Sequence, residues 1–275
     1  GNQHPVVAKT LGQLARAQQS MGRYDESLKL LERVVKINEG VFGAKAEPTT
    51  DARMAVAENL MALEQFDDAI DVLERCTAAY RETLGAEHPS TAKAMAQGGY
   101  AQLALKKLDA AETTFRGAWT ARAKQAKTDD TLKAVMQREK ADVLMAREKC
   151  RPAADAFAEA AQLFAKSAAA TSLSVAEALS GQAKALLCMM KANEAVGVGE
   201  KSLEAATKTP GDTMTLAMAQ RVLGQALWVS GQDKDRSKQL LTAAKQGYEK
   251  SGRAKSQLAE FEAWAQKQRV FEGTG

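Results

Sequence analysis

One spacing constrains this chain more than any other. A bulky apolar residue followed at once by Asp recurs at Tyr24, Phe66 and Leu108, 42 residues apart in both steps. Each stands after a short turn, and each Asp has a small residue two positions later. The small residues ahead of these turns keep the same register at Ala15, Ala57, Gly99, Ala141 and Ala183, with Gly224 one residue early. Those behind them are Ser27, Ala69, Ala111, Ala153 and Ala195, and Arg236 takes the sixth slot. A fixed period of this length means stacked copies of one supersecondary unit, each unable to bury its apolar face alone.

Each unit reads as two helices, A and B. In the first A helix Leu11, Leu14, Ala15 and Gln18 follow the i, i+3, i+4, i+7 spacing that lines one helical face. The B helices open on Asp25, Asp67, Asp109 or Asn193, residues suited to helix N-termini. Their large core residues are Leu31, Leu73, Phe115, Phe157 and Leu240. The fifth unit has Gly199 in that slot, with Gly197 nearby, which predicts the weakest helix there. Glycine closes units and proline with Ser, Thr or Asp opens them, at Gly43 to Pro48 and Gly85 to Pro89. The later links are Lys127-Thr128-Asp129-Asp130, Ser167 to Ser174 and Thr209-Pro210-Gly211-Asp212. The expected organisation is a single all-α domain over 1–275, with repeats at 8–49, 50–91, 92–133, 134–175, 176–216 and 217–250. Leu258, Phe261 and Ala265 share a face of one more helix, so 251–271 is expected to cap the last unit.

Composition agrees with helix and argues against other classes. Ala, Leu, Lys, Glu, Gln and Met dominate, and aromatics are 5%, too few for strand-rich cores. Lys and Arg number 38 against 34 Asp and Glu, with the signs interspersed. The densest basic run, Arg116 to Lys127, reads as one solvated helix face, so no nucleic-acid partner is expected. Cys76, Cys150 and Cys188 form no CxxC and no Cys/His cluster. They read as small buried side chains in a reducing compartment, and no metal or cofactor is expected. No apolar run approaches the ~20 residues of a membrane span, and no signal-peptide pattern is present, so the expected location is cytoplasmic.

These slots resemble the tetratricopeptide repeat. The longer pitch and the linker Leu84-Gly85-Ala86-Glu87-His88-Pro89-Ser90-Thr91-Ala92 are similar to the kinesin-light-chain subtype, and His4-Pro5-Val6-Val7-Ala8 repeats its end. The resemblance is specific in the first three units, and the register alone persists in the last three. It implies a right-handed α-α superhelix whose A helices line a concave groove for partner segments. One feature departs from the subtype: its paired helix A asparagines are replaced by Gly12-Gln13, Ala55 and Gln97, so its cargo specificity does not carry over.

Catalysis finds no support. His4 and His88 precede proline in equivalent links and read as turn residues. Gly197 to Ser202 lacks the phosphate-loop pattern, since Glu200 precedes Lys201 and no strand leads in. The groove is the informative region. Turning ~100° per residue from the core stripe reaches Gln19, Met61, Leu103, Met145, Leu187 and Trp228. This ring either widens the core or forms an apolar floor for ligand side chains, with Trp228 the best anchor. Further round lie Arg16, Glu58, Tyr100, Asp142, Lys184 and Gln225. Beside them, Gly12, Met54, Ala96, Arg138, Ser180 and Arg221 are expected to face solvent as an inner wall. Arg138, Lys184 and Arg221 read either as a basic patch for an acidic segment or as solubilising charge. The leading reading is an interaction scaffold holding a protein or peptide partner in the groove. The alternative is a peptide-sensing regulatory module attached to a signalling output domain. Neither oligomeric state nor partner identity is legible.

Overall fold

A computed structural model describes residues 3–127, 129–167, 171–208 and 212–271. Parts of three expected links, at Thr128, 168–170 and 209–211, lie outside the described residues. Among the described residues there are thirteen helices and no strand. They pair as α1 (Pro5–Ser20) with α2 (Tyr24–Phe42), α3 (Glu47–Ala62) with α4 (Phe66–Thr83), and α5 (Pro89–Ala104) with α6 (Leu108–Ala126). Then come α7 (Asp130–Ala146) with α8 (Cys150–Lys166), α9 (Ser172–Cys188) with α10 (Ala192–Thr207), and α11 (Thr213–Ser230) with α12 (Lys234–Ser251). A final helix, α13 (Lys255–Lys267), follows. The contacts form two compact units, 1–125 and 126–275, so three pairs lie in the first and three pairs with α13 in the second.

Local chemistry explains the turns. In the first five pairs the residue before helix B donates its N–H back five positions: Arg23 to Gln18, Gln65 to Leu60, Lys107 to Gln102, Lys149 to Leu144, and Lys191 to Leu186, all at 2.9 Å. That closure places the preceding residue in the left-handed region. Gly22 adopts it freely, whereas Glu64, Lys106, Glu148 and Met190 hold φ between 58° and 61° against the side-chain clash. At the links, His4 and His88 act as N-caps. Each Nδ1 accepts from the N–H two residues on, at 3.2 Å, and a proline follows as the first helical residue. Thr49 and Thr91 repeat a second device, each hydroxyl donating to the carbonyl of the linker glycine at 2.8 Å.

Packing follows large-into-small contacts. A Cβ at Gly99 would come within 2.8 Å of the Phe115 ring, and one at Gly224 within 2.7 Å of Leu241. Ala57 with Leu73, and Ala141 with Phe157, fill the same roles in their clusters. This corrects the sixth unit. Ser237, not Arg236, takes the small slot; it is 0% exposed and donates to the Gly224 carbonyl at 2.7 Å. Leu241 rather than Leu240 enters the core. The B helices therefore keep the 42-residue step throughout, and the residue missing at Gly224 is regained within α11, whose last residue Ser230 lies 42 after Cys188; in the turn that follows, Gly231 and Asp233 both have positive φ.

The fifth unit is also corrected. Helix α10 is continuous, and a Cβ at Gly199 would lie 3.2 Å from Leu223 of α11. The large residue absent from α10 is supplied by its neighbour, so the glycine marks close packing rather than weakness. Leu14, expected in the core stripe, is 46% exposed. The equivalent slots of α3 and α11, Val56 and Leu223, are covered by the preceding pair, and among the described residues no pair precedes α1. The cysteine expectation fails for two of three residues. Cys150 and Cys188 are joined in a disulfide with Cα atoms 6.0 Å apart, and Cys76 alone is free and buried. At the far end α13 begins 42 residues after α11, in the place of a seventh A helix, and buries Phe261 and Ala265 against Leu241. No helix among the described residues is long and apolar enough to cross a membrane.

Two stability measurements test this account. Gly99→Leu should overpack Phe115 and cost about 1–3 kcal/mol in a denaturant melt, while Lys29→Leu on the exposed face of α2 should change stability by less than about 0.5 kcal/mol. Met190→Gly relieves a left-handed backbone at a side chain 85% exposed and should stabilise by about 0.5–1 kcal/mol, visible as a higher Tm.

Candidate functional site

Stacking uses most of the A-helix surface, and what it leaves over is narrow. In the first unit, Arg16 of α1 is exposed, and Glu58 of α3 and Tyr100 of α5 are half-buried at the same slot. Glu58 accepts from Lys93 Nζ at 2.9 Å and from Gln97 Nε2 at 3.2 Å, a polar bridge from α3 to α5. Tyr100 sets its ring edge-on to Phe115, with centroids 5.0 Å apart, so the core fixes its orientation. Met61 packs half-buried on the Met54, Leu60 and Leu73 cluster, and Leu103 is half-buried too.

In the second unit the matching row is Asp142 of α7, Lys184 of α9 and Gln225 of α11, with Lys184 exposed and the others half-buried. Met145 and Leu187 pack against the clusters around Phe157 and Leu186. Trp228 packs against Leu241, Phe261, Ala265 and Val270, with Lys234 Nζ 4.6 Å from its ring centroid. The apolar ring thus serves the core, with part of each side chain left at the surface.

Three expected cations do not assemble into one open patch. Arg138 pairs with Glu177 of α9. Arg221, only 12% exposed, donates to the Gln257 carbonyl at 3.1 Å and to Glu260 at 3.3 Å, and lies 5.7 Å above the Phe261 ring. It holds α13 in place. Lys184 remains at the surface. The expected inner wall is also overturned: Met54 is 6% exposed and Ala96 and Ser180 are 5% exposed, because that slot faces neighbouring packed helices. Ser180, for example, shares a 2.8 Å hydrogen bond with Ser202 of α10.

The neutralising carboxylates were missed in the sequence, although a signal for them exists. Arg138 to Glu177, Arg221 to Glu260 and Glu58 to Gln97 are each 39 residues apart. That is one pitch less three, about one helical turn, which is the stagger between successive A-type helices. A second feature outside the expected row is a cleft of about 370 Å³ between α12 and α13, lined by Lys245, Glu262, Ala265, Gln266, Arg269 and Phe271. Lys245 and Glu262 are paired across it at 2.7 Å.

The perturbed titrations belong to packing. Burial pushes the Cys76 thiol up to about 12. Burial, followed by a hydrogen bond to Asp51, raises Tyr80. Among the described residues no group of three or more His, Cys, Asp or Glu could hold a metal ion. The segment Gly197 to Ser202 lies inside α10, and Ser202 Oγ donates to the Ala176 carbonyl at 2.9 Å.

Residues 7–46 and 48–124 each match a family model described as tetratricopeptide repeat. No curated protein matches the sequence. Among solved structures, nearly identical TPR-like repeats assigned to a kinesin light chain of Podosopora anserina superpose with TM-score 0.57 at 23% identity, covering 75% of this chain and 98% of that one. BtubC (BKLC) from P. vanneervenii gives TM-score 0.63 at 16% identity, covering 82% and 90%. A Rap protein complexed with competence and sporulation factor gives TM-score 0.66 at 13% identity, covering 94% and 75%. These likenesses are likenesses of fold.

The placement of Trp228 carries its own test. Trp228→Ala should lower stability by about 2 kcal/mol or more, since it removes an indole from the α13 cluster. Arg221→Ala should speed amide exchange in α13 while leaving α9 and α10 protected. An unchanged melt for both variants would mean that α13 is held by other contacts.

Proposed function

We propose that this chain, a tetratricopeptide repeat protein with kinesin-light-chain-like repeats, is a protein-interaction scaffold that holds an extended or helical partner segment along its A-helix rows. One observation carries the reading. After helix packing has consumed the core slots, the A helices present one polar or amphipathic side chain per repeat at a step of 42 or 41 residues: Arg16, Glu58 and Tyr100 in the first unit, and Asp142, Lys184 and Gln225 in the second. A row of evenly spaced side chains, flanked by half-buried Met61, Leu103, Met145 and Leu187, suits a regular segment that offers one side chain per step. Nothing in the rows resembles a nucleophile with a base, and the repeat family supplies binding rather than catalysis.

Charge sets a limit on the partner. With Arg138 and Arg221 already opposite Glu177 and Glu260, only Lys184 gives the second row a positive bias, so the reading does not commit to an acidic segment. A second reading, a peptide-sensing regulatory module, draws support from the Rap protein, whose solved complex contains competence and sporulation factor.

The test is capture of partners on the immobilised chain, identification by mass spectrometry, and titration against variants of each row. Glu58→Lys with Tyr100→Ala alters the first row, and Lys184→Glu with Leu187→Ala alters the second. At least one pair should weaken binding roughly 10-fold or more, with the Tm of the Lys184→Glu single change unaltered. Undiminished affinity in both pairs would place the partner on the B-helix face and end this reading.

A further inference from the structure

We propose that the Cys150–Cys188 disulfide is a reversible clasp on the joint between the fourth and fifth repeats, opened and closed by dithiol–disulfide exchange. The bond ties the first residue of α8 to the last residue of α9, 38 positions apart, so it spans a B helix and the next A helix inside the second unit. Its Cα separation of 6.0 Å lies within the range that a disulfide bridges without moving backbone. Cys188 is exposed and Cys150 half-buried, so a reductant reaches the bond without unfolding the chain. The third cysteine does not compete: Cys76 lies buried in the other unit.

The register explains why opening the bond has a consequence. The Cys150 slot is the one that opens every B helix, and it holds Tyr24, Phe66 and Leu108 in the first three repeats. The Cys188 slot closes every A helix, and it holds Ala62, Ala104 and Ala146. In the first three joints, then, the two slots carry a bulky residue and a small one, whereas the joint after this one pairs Ala192 with Ser230. Here both are cysteine, and the covalent bond stands in for the missing bulk. Reduction leaves neither the bond nor the bulky side chain, so the reduced joint is less filled than the first three of its kind. The glycine-free turn beside it, Met189 to Lys191, holds Met190 in a left-handed conformation and adds no compensating strength.

Chemically, a thiolate of a dithiol attacks the exposed Cys188 sulfur, the S–S bond breaks, and Cys150 leaves as a thiolate that takes up a proton. The second thiolate of the dithiol then displaces Cys188, which is protonated in turn, and the reductant departs as a cyclic disulfide. Two electrons pass from dithiol to clasp, and a disulfide of the same class reverses the exchange.

The experiment uses the free full chain and needs no partner, so its failure is separate from that of the binding reading. Dithiothreitol and its oxidised form serve as the exchange pair. Non-reducing digestion should yield a linked Cys150–Cys188 peptide, removed by dithiothreitol and restored by the oxidised reagent. Reduction should lower the Tm and speed amide exchange at the start of α8 and the end of α9 roughly 10-fold or more. Cys150→Ser with Cys188→Ser should match reduced wild type in both buffers. Cys150→Leu with Cys188→Ala, which restores the residue types of the third-repeat slots, should be protected in both. No linked peptide under oxidised reagent, or equal protection of oxidised and reduced wild type, would overturn the clasp. A Leu/Ala variant as open as the Ser/Ser one would overturn the packing argument behind it. Should the serine variant fail to fold, the wild-type comparison in the two buffers decides alone.

Discussion

The fold depends on one contact made again in each repeat, a large side chain of helix B set against a position of helix A that carries little or no side chain. Phe115 against Gly99 shows how tight it is, since even a methyl group at Gly99 would collide with the ring. Interiors at this density resist both missing and added methylenes, which is why the slots alternate so strictly in size. The contact also tolerates exchange of partners. Where helix B has Gly199, Leu223 of the next A helix fills the space, and the joint closes with the volumes reversed. Complementarity is the conserved quantity of the architecture, and the identity of the helix that supplies the bulk is not.

From that contact follows the stagger of successive A helices, and from the stagger follows the surface. Polar partners fall 39 residues apart because each A helix is displaced about one turn from its neighbour. The same rule lets α13 receive Arg221, so the terminal helix is held as a seventh A helix would be, by Glu260, the Gln257 carbonyl and Phe261. A cation that reads as ligand-facing along the helical wheel is thereby committed to structure. Exposed pairs such as Lys45 with Glu82 contribute little stability by themselves. The half-buried ones matter more for the surface, because they decide which charges remain open to a partner.

The repeat also governs where deviations are permitted. A residue lost from the register at Gly224 is regained before α11 ends at Ser230, so the B helix returns to its slots with Ser237 and Leu241. The fourth and fifth repeats depart at a different level, replacing a size-matched pair by Cys150 and Cys188. The first departure ends with α11, and the second is confined to one joint. A shift carried on into α12 would rotate every later side chain by ~100° and empty the core.

Periodicity in the chain alone determined the class of fold, the number of helix pairs, the turn positions of His4 and His88 and the core identity of Leu31, Leu73, Phe115 and Phe157, because all of these rest on local spacing and size. It reached the candidate rows only as slots. Whether Met54, Arg138, Arg221 or Trp228 faces a partner or a neighbouring helix depends on how far one helix is staggered along the next, which no single helical wheel contains. The same holds for Ser237 in place of Arg236 and for the meeting of Cys150 with Cys188. Each is a distance between residues 13 to 38 positions apart, set when helices pack and not while any one of them forms.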